Sequence, residues 1–165
     1  MTEIRKIASF TVDHDVLCEG IYVSRVDGDV TTYDLHTRVP NAGDYMDNVT
    51  MHTTEHMIAT YIRSSAIGDR VIYFGPMGCR TGFYLLVRNA DNDGVLSVLC
   101  DTPERVIAHE GRVFGGTPTE CGNYREPDPD AAKRECARYL AVLRAKTNDF
   151  RYPTKDTAKE KERTI

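Results

Sequence analysis

Two histidines and a glutamate fall within five residues of one another, at His52, Glu55 and His56. Residues four apart lie on one face of an α-helix, so both imidazoles can reach a single metal ion. Neutral imidazole suits Zn²⁺ or Fe²⁺. Glu55 lies beside that face and can reach an oxygen on the metal without being a ligand itself. A catalytic metal site also needs a third protein ligand and an open position.

Two cysteines are candidates for the third ligand. Cys79 lies in Pro-Met-Gly-Cys-Arg-Thr-Gly and Cys121 in Thr-Glu-Cys-Gly-Asn-Tyr, where glycines let the backbone approach a ligand or another chain closely. Arg80 would favour the thiolate of Cys79 electrostatically. The residue types leave open which of the two binds metal. The other three, expected to pack as small apolar side chains, are Cys18, Cys100 and Cys136.

The same pattern admits two other functions. H-x-x-E-H marks inverzincin peptidases, whose glutamate is the base for a metal-bound water, although this chain is short for a peptidase cleft. Alternatively, Cys79 and Cys121 join the two histidines in a closed four-ligand shell. Such a shell is typical of a structural metal site in a non-catalytic binding module.

Hydrophobic spacing predicts the elements that must hold these residues. The predicted helices, from apolar positions of period 3.6, are residues 49–65, 93–109 with a break and fresh start at Pro103, and 130–147. Asn48 or Thr50 is the expected N-cap of the first helix. The predicted strands lie within the first forty residues, with a hairpin turn at Asp27 and Gly28, and at 71–74 and 83–87. Cys79 then lies in a loop between two strands, and Cys121 in a glycine-rich loop at 111–123.

Strands followed by helices, without a βαβ rhythm, predict an α+β fold: a compact single domain with an antiparallel sheet packed against helices. The chain of 165 residues is one domain long. We place that domain at 1–150 and a charged C-terminal tail at 151–165. The polar composition predicts loose order after Asn148.

Composition limits the partners. With 21 basic and 25 acidic residues, the formal net charge of −4 argues against nucleic acid or an anionic membrane as the main partner. The sequence holds no apolar run of the ~18 residues that a membrane span requires. The N-terminus lacks the apolar region of a signal peptide, and the five cysteines are odd in number and widely spaced. We therefore expect a cytoplasmic protein with free thiols.

Three segments, taken together, resemble the LuxS family of S-ribosylhomocysteine lyases. They are HTTEH at 52–56, PMGCRTGFY at 76–84 and ECGNY at 120–124, in the family's order and spacing. SFTVDH at 9–14 and TTYDLHTRVPN at 31–41 match further family segments. The similarity covers roughly residues 5–125.

The resemblance implies a function and a set of roles. The family cleaves the thioether of S-ribosylhomocysteine to homocysteine and 4,5-dihydroxy-2,3-pentanedione, the autoinducer-2 precursor, and serves the activated methyl cycle and quorum sensing. It is a homodimer with sites at the subunit interface. Its Fe²⁺ is often replaced by Zn²⁺ or Co²⁺. The matching ligands are His52, His56 and Cys121, and the acid–base pair is Glu55 and Cys79.

Substrate contacts carry over with two departures. The family's common Asp near the ribose is Tyr73 here, and its frequent Arg after Tyr-Asp-Leu is His36. Tyr73 and Arg38 would then compensate for the missing contacts. The expected substrate-binding residues are Ser9, His14, Arg38, Tyr73 and Arg80.

Overall fold

The computed structural model describes residues 4–145 and 147–157 and divides most of them between four strands and three helices. The strands are β1 (Gly20–Asp27), β2 (Val30–His36), β3 (Val71–Pro76) and β4 (Gly82–Arg88). The helices are α1 (Asn48–Arg63), α2 (Asn92–Ile107) and α3 (Pro129–Ala145). Two 3-10 turns, Ala8–Phe10 and Gly68–Arg70, precede β1 and β3.

The four strands form one antiparallel sheet in the order β1-β2-β4-β3, which confirms the predicted α+β class. The hairpin turns at Gly28, whose φ of +62° is natural for a residue without Cβ. Register aligns Tyr22, Asp34, Tyr84 and Gly75 across the four strands. Because side chains alternate along a strand, this row lies on the face turned away from the helices, here termed the outer face.

The inner face of the sheet carries the hydrophobic core. Tyr33, Leu35, Phe83 and Leu85 alternate with the outer-face row and are buried against the three helices. Helix α1 packs against β3 and against both other helices, and α3 also reaches β1. Full burial of one such side chain contributes about 1.5–3 kcal/mol, so the core fixes how each helix is rotated.

Two local predictions about the helices were wrong. The first turn of α1 is capped by Asp47, whose carboxylate accepts from the Thr50 backbone N–H at 2.6 Å, and not by Asn48 or Thr50. Helix α2 runs unbroken through Pro103. Proline removes one helical hydrogen bond, but Pro103 is buried where α2 packs against its neighbours, and that packing keeps the helix continuous.

The two ends of the described chain also differ from expectation. Among residues 4–40, β1 and β2 are the only strands, whereas Phe10 lies in a 3-10 turn with 70% of its surface exposed. After Asn148 the chain is packed: Phe150 is buried, its carbonyl accepts from the Val23 N–H at 2.8 Å, and Tyr152 stacks on Tyr22. The rest of the predicted tail, 158–165, lies outside the described residues.

Within the described ranges, no helix is both long enough and apolar enough to cross a membrane.

Candidate active site

Helix α1 brings His52 and His56 side by side. The four-residue spacing puts both imidazoles on one face, with ring centroids 4.6 Å apart and ring planes at 89°. The other side of the helix carries Ile58 and Ile62 into the core. The core therefore determines where the two histidines point.

The loop after α2 delivers Cys121 to these histidines. Its Sγ lies 3.3 Å from His52 Nε2, and one donor atom each from His52, His56 and Cys121 lie within 4.8 Å of one another. The Cys121 N–H donates to the Thr117 carbonyl at 3.0 Å, and the Asn123 N–H points at the sulfur at 3.3 Å. These backbone bonds fix the sulfur relative to α1.

A backbone carbonyl sets the orientation of His56. The Phe114 carbonyl accepts from His56 Nδ1 at 2.8 Å, which places the proton on Nδ1 and leaves Nε2 free as a ligand. The next residue, Gly115, has φ of +64°, and a Cβ there would stand 3.1 Å from His56 Nδ1. Glycine thus permits both the left-handed turn and the close approach of the loop to the ring.

A carboxylate plays the corresponding part for His52. Glu126 Oε2 lies 3.5 Å from His52 Nδ1 and accepts from Asn123 Nδ2 at 2.5 Å. A carboxylate on the far nitrogen of a ligating histidine raises its basicity and holds its ring. Both histidines therefore have a fixed partner on one nitrogen and face Cys121 with the rest of the ring.

Three contacts hold the loop on α1, one next to His52 and two at Tyr61, beyond His56. The Asp128 N–H donates to Thr53 Oγ1 at 3.0 Å. Further along α1, the ring of Phe114 packs edge-on against Tyr61 at 5.1 Å, and the Tyr61 hydroxyl bonds His109 Nδ1 at 2.8 Å. The segment from His109 to Asp128 is thereby attached to the helix at both ends.

The three donors fit a divalent transition metal. Two imidazole nitrogens and one thiolate sulfur suit Zn²⁺ or Fe²⁺ better than Mg²⁺. All three side chains are half-buried, and the contacts of His56 with the Phe114 carbonyl and of His52 with Glu126 leave the remaining donor atoms convergent. Three protein ligands leave a position for a further ligand, as catalytic sites require. In the part of the chain that the structure describes, neither Cys79 nor Glu55 belongs to this cluster.

Cys79 lies apart from the cluster, in the turn between β3 and β4. Its side chain is exposed, and Sγ lies 3.0 Å from the hydroxyl of Thr81. The Arg80 N–H closes the turn onto the Met77 carbonyl at 2.9 Å, and Arg80 itself has φ of +62°. Glu55 is half-buried on α1, between the two histidines in sequence. An exposed thiol and a carboxylate beside a metal cluster can both exchange protons with a bound molecule.

Comparison with known proteins assigns the arrangement to a family. The LuxS family, described as S-ribosylhomocysteinase, matches residues 7–149 of this chain. The chain belongs to the LuxS family. An S-ribosylhomocysteine lyase of Phocaeicola vulgatus is 42% identical over 93% of this chain and all of its own length. Lyases of the same name from Borreliella afzelii and Clostridium acetobutylicum are 38% and 39% identical, over 91% and 85% of this chain and 100% and 92% of their own lengths.

The LuxS assignment favours neither alternative interpretation of the motif. The curated relatives are named lyases rather than peptidases. The fourfold shell of a structural site would need Cys79 beside Cys121, and the cluster found among the described side chains holds only one cysteine.

The two arginines expected to bind substrate in this LuxS chain, Arg38 and Arg80, already contact other side chains of the protein. Arg38 donates to the buried Glu135 through Nε, at 3.1 and 3.2 Å, and through a terminal nitrogen at 2.6 Å, and it also pairs with Asp44. Arg80 directs its guanidinium toward the ring of Tyr45, with the carbon 5.8 Å from the centroid. A substrate contact by Arg38 must compete with two carboxylates, and for both arginines the role stays a prediction.

The remaining expected contacts lie near the sheet. Tyr73 is 46% exposed on β3, and its hydroxyl would stand 2.0 Å from a Cβ at Gly75, so the ring lies along the strand over that glycine. His14 Nδ1–H donates to the Val12 carbonyl at 2.9 Å, and the ring is close enough to affect the pKa of His36. Ser9 is half-buried in the first 3-10 turn. Their substrate roles stay predictions.

Sequence reasoning missed the partners that orient the cluster. Phe114 acts through a backbone carbonyl, which no side-chain pattern marks. Glu126 and Asn123 lie in the polar stretch after Cys121, and only their position after a candidate ligand could have drawn attention to them. Thr81, which contacts Cys79, has no signal of its own beyond its place two residues after that cysteine.

Proposed function

We propose that this chain cleaves the thioether bond of S-ribosylhomocysteine, giving homocysteine and 4,5-dihydroxy-2,3-pentanedione, the precursor of autoinducer-2. The observation that carries the proposal is the convergence of His52, His56 and Cys121 within 4.8 Å in a chain of the LuxS family. The substrate is therefore a small molecule, and the reaction belongs to the carbon–sulfur lyases.

The chemistry explains why a metal cluster and proton-exchanging groups occur together. A thioether sulfur leaves readily only when it is attached to the carbon β to a carbonyl, so that an enolate can form at the carbon between them. The sugar carbonyl must therefore move along the chain by two enolisations, each taking a proton from one carbon and returning a proton to its neighbour. A final β-elimination breaks the carbon–sulfur bond, and the electron pair leaves on the homocysteine sulfur. The remaining five-carbon enol tautomerises to the dione, so no oxidant, reductant or water is consumed.

We assign the metal-binding role to His52, His56 and Cys121. An ion held there would supply Lewis-acid stabilisation of negative charge on the substrate's carbonyl oxygen. The thiolate and imidazole donors favour Fe²⁺, with Zn²⁺ or Co²⁺ as substitutes. Phe114 and Glu126 support this role by fixing the two imidazole rings.

We assign proton transfer to Glu55 and Cys79. Glu55 lies on the helix that carries both histidines, between them in sequence, and this position supports a role beside a substrate bound at the cluster. Cys79 offers an exposed sulfur with a hydroxyl partner at 3.0 Å. A carboxylate and a thiol can each alternate between accepting and donating a proton, as the successive enolisations require.

We further infer a homodimer with sites at the subunit interface, working in the cytoplasm. Three large apolar side chains of the N-terminal segment, Ile4, Ile7 and Phe10, are 96%, 57% and 70% exposed. Water contact of this kind is unfavourable, and a second subunit would cover them. None of the five cysteines, all of which lie within the described ranges, is in a disulfide, which suits a reducing compartment. Sedimentation of the full chain, compared with a Phe10→Asp variant, tests the dimer.

The direct test is release of a thiol from S-ribosylhomocysteine. Full-length protein loaded anaerobically with Fe²⁺ or Co²⁺ is mixed with substrate, and free homocysteine is followed with a chromogenic thiol reagent. We expect metal-dependent release, lost in Cys79→Ala and retained in the control Cys100→Ala. Absence of release from folded, metal-loaded protein would contradict the proposed activity.

A further inference from the structure

The turn that carries Cys79 also holds a buried hydroxyl against the sulfur. Thr81 Oγ1 lies 3.0 Å from Cys79 Sγ, and Thr81 is only 2% exposed. Its backbone is fixed as well, because the Thr81 carbonyl accepts from the N–H groups of Thr37 and Arg38, both at 3.0 Å. The hydroxyl is therefore a built part of the turn rather than a mobile surface group.

A histidine lies behind this hydroxyl. His36, at the end of β2, is 2% exposed, and its Nδ1 is 3.5 Å from Thr81 Oγ1. Burial lowers the pKa of His36 to about 4, and the charge of His14 adds to the effect. At neutral pH the imidazole is therefore uncharged, and only one ring nitrogen carries a proton.

The hydrogen-bonding rules then set the direction of each contact. A threonine hydroxyl has a single proton, and a thiolate can only accept. When Cys79 is ionised, the Thr81 hydroxyl must donate to Sγ, and its oxygen is free to accept from Nδ1–H of His36. Hydrogen bonds to an ionised group favour that form.

We propose that Thr81 is the positioning residue that stabilises the thiolate of Cys79 through its hydroxyl, and that His36 orients this hydroxyl from behind. The inference rests on the proposed function, in which Cys79 exchanges protons with the substrate.

Several ionisable groups surround the three residues and would influence any titration. They are Tyr84 from β4, Asp34 and Tyr22 from the outer face, His14 from the N-terminal segment and Arg80 from the turn. None of them is altered when the Thr81 hydroxyl alone is removed. A change after that removal therefore reports the hydroxyl itself.

The test is the rate of alkylation of Cys79 as a function of pH. Full-length, zinc-loaded protein reacts with iodoacetamide from about pH 5 to about pH 10, and the Cys79 peptide is quantified by mass spectrometry. We expect Thr81→Val to move the midpoint of this profile upward by about one pH unit, because one hydrogen bond to a charged group is lost. Turnover of S-ribosylhomocysteine should fall in kcat with KM little changed.

Matched variants separate this role from a structural one. Thr81→Ser keeps a hydroxyl and should restore the midpoint, and His36→Asn should hold it better than His36→Leu. The control is Thr102→Val: Thr102 is also buried, and its hydroxyl has no partner among the residues described. Thermal unfolding verifies that each variant is folded.

The experiment tests the role of Thr81 and the proposed lyase activity separately. An unchanged midpoint in folded Thr81→Val, an equal rise in Thr102→Val, or no recovery in Thr81→Ser would each overturn the inference. Alkylation does not depend on the substrate. A raised midpoint in a protein that fails to cleave S-ribosylhomocysteine would support the role of Thr81 and contradict the proposed activity.

Discussion

The metal cluster and the Cys79 turn are built in different ways. The cluster joins a helix to a loop far along the chain: Cys121 meets His52 across 69 residues, and Phe114 meets His56 across 58. The contact of Cys79 spans two residues, to Thr81, inside one β-turn. The cluster is therefore sensitive to how the loop packs on α1, whereas the thiol depends on the local turn and the sheet beneath it.

The difference also appears in exposure. The three cluster side chains are half-buried with partners on their outer atoms, as ligands need if they are to converge before a metal binds. Cys79 is exposed. Exposure is required of a group that is proposed to reach a substrate carbon. Under the proposed function one region holds the metal and the other exchanges protons with the substrate, so substitutions in the two regions should have different effects.

Loss of a ligand should give the largest effect. We expect His52→Ala or Cys121→Ala to lose bound metal and to reduce turnover by about 1,000-fold or more, since the residues of such a site act as a unit. Metal content by plasma mass spectrometry and thiol release measure the two effects. Cys100→Ala serves as the control. A fully metallated, active Cys121→Ala protein would contradict the assignment.

Removal of either proposed proton-transfer group should affect turnover without affecting metal binding. Cys79→Ala and Glu55→Gln are expected to retain metal yet lose about 100- to 10,000-fold in turnover, the usual contribution of a general acid or base. Metal analysis and turnover on the same samples provide the measurement. If Cys79→Ala loses its metal, the thiol belongs to the cluster and the two regions are not separate.

A smaller effect should follow from crowding one histidine. Gly115→Ala would place a methyl 3.1 Å from His56 Nδ1 at φ of +64°, and we expect metal affinity to fall about 10- to 100-fold. The matched control is Gly28→Ala, which has φ of +62° and no atom within 4 Å of its new Cβ. Competition with a chelator measures affinity. Equal weakening in both variants would show that backbone strain alone is responsible.

The smallest effect concerns the stability that the protein loses at acid pH because of His36. Burial lowers the pKa of His36 from 6.5 to about 4, so between these values the unfolded chain binds more protons and stability is lost as pH falls. Between about pH 7 and about pH 5 this single group should cost about 2 kcal/mol. Urea unfolding of metal-free protein should show this loss, and His36→Asn should reduce it by that amount. An identical pH dependence in the variant would refute the burial argument.

Much of the fold follows from local patterns. The periodicity of α1 and α3 and the turn at Gly28 predicted elements that the structure places within a few residues of expectation. The four-residue spacing of His52 and His56 predicted their common face for the same reason, because helix geometry is local. The resemblance to a family, rather than spacing, singled out Cys121 over Cys79.

What escaped prediction depends on tertiary packing. Pro103 stays helical because its buried ring is held between neighbours, an effect that propensity cannot contain. Phe150 and Tyr152 lie in a polar stretch, yet two aromatic rings suffice to attach it to the sheet. The bonds of Phe114 and Glu126 to the histidines arise only after the loop has folded onto α1.

The carbonyl of Phe150 has one further consequence. Strand β1 is at the border of the sheet, where unpaired N–H groups invite a strand from another molecule. The Phe150 carbonyl accepts from the Val23 N–H, and the ring of Phe150 lies edge-on to Tyr33 at 6.1 Å. On the opposite face of the sheet, the Tyr152 hydroxyl donates to Asp34 at 2.5 Å. The C-terminal segment thus covers part of the edge strand β1. A strand from another molecule cannot pair with the Val23 N–H while Phe150 occupies it, which opposes intermolecular β-pairing and aggregation.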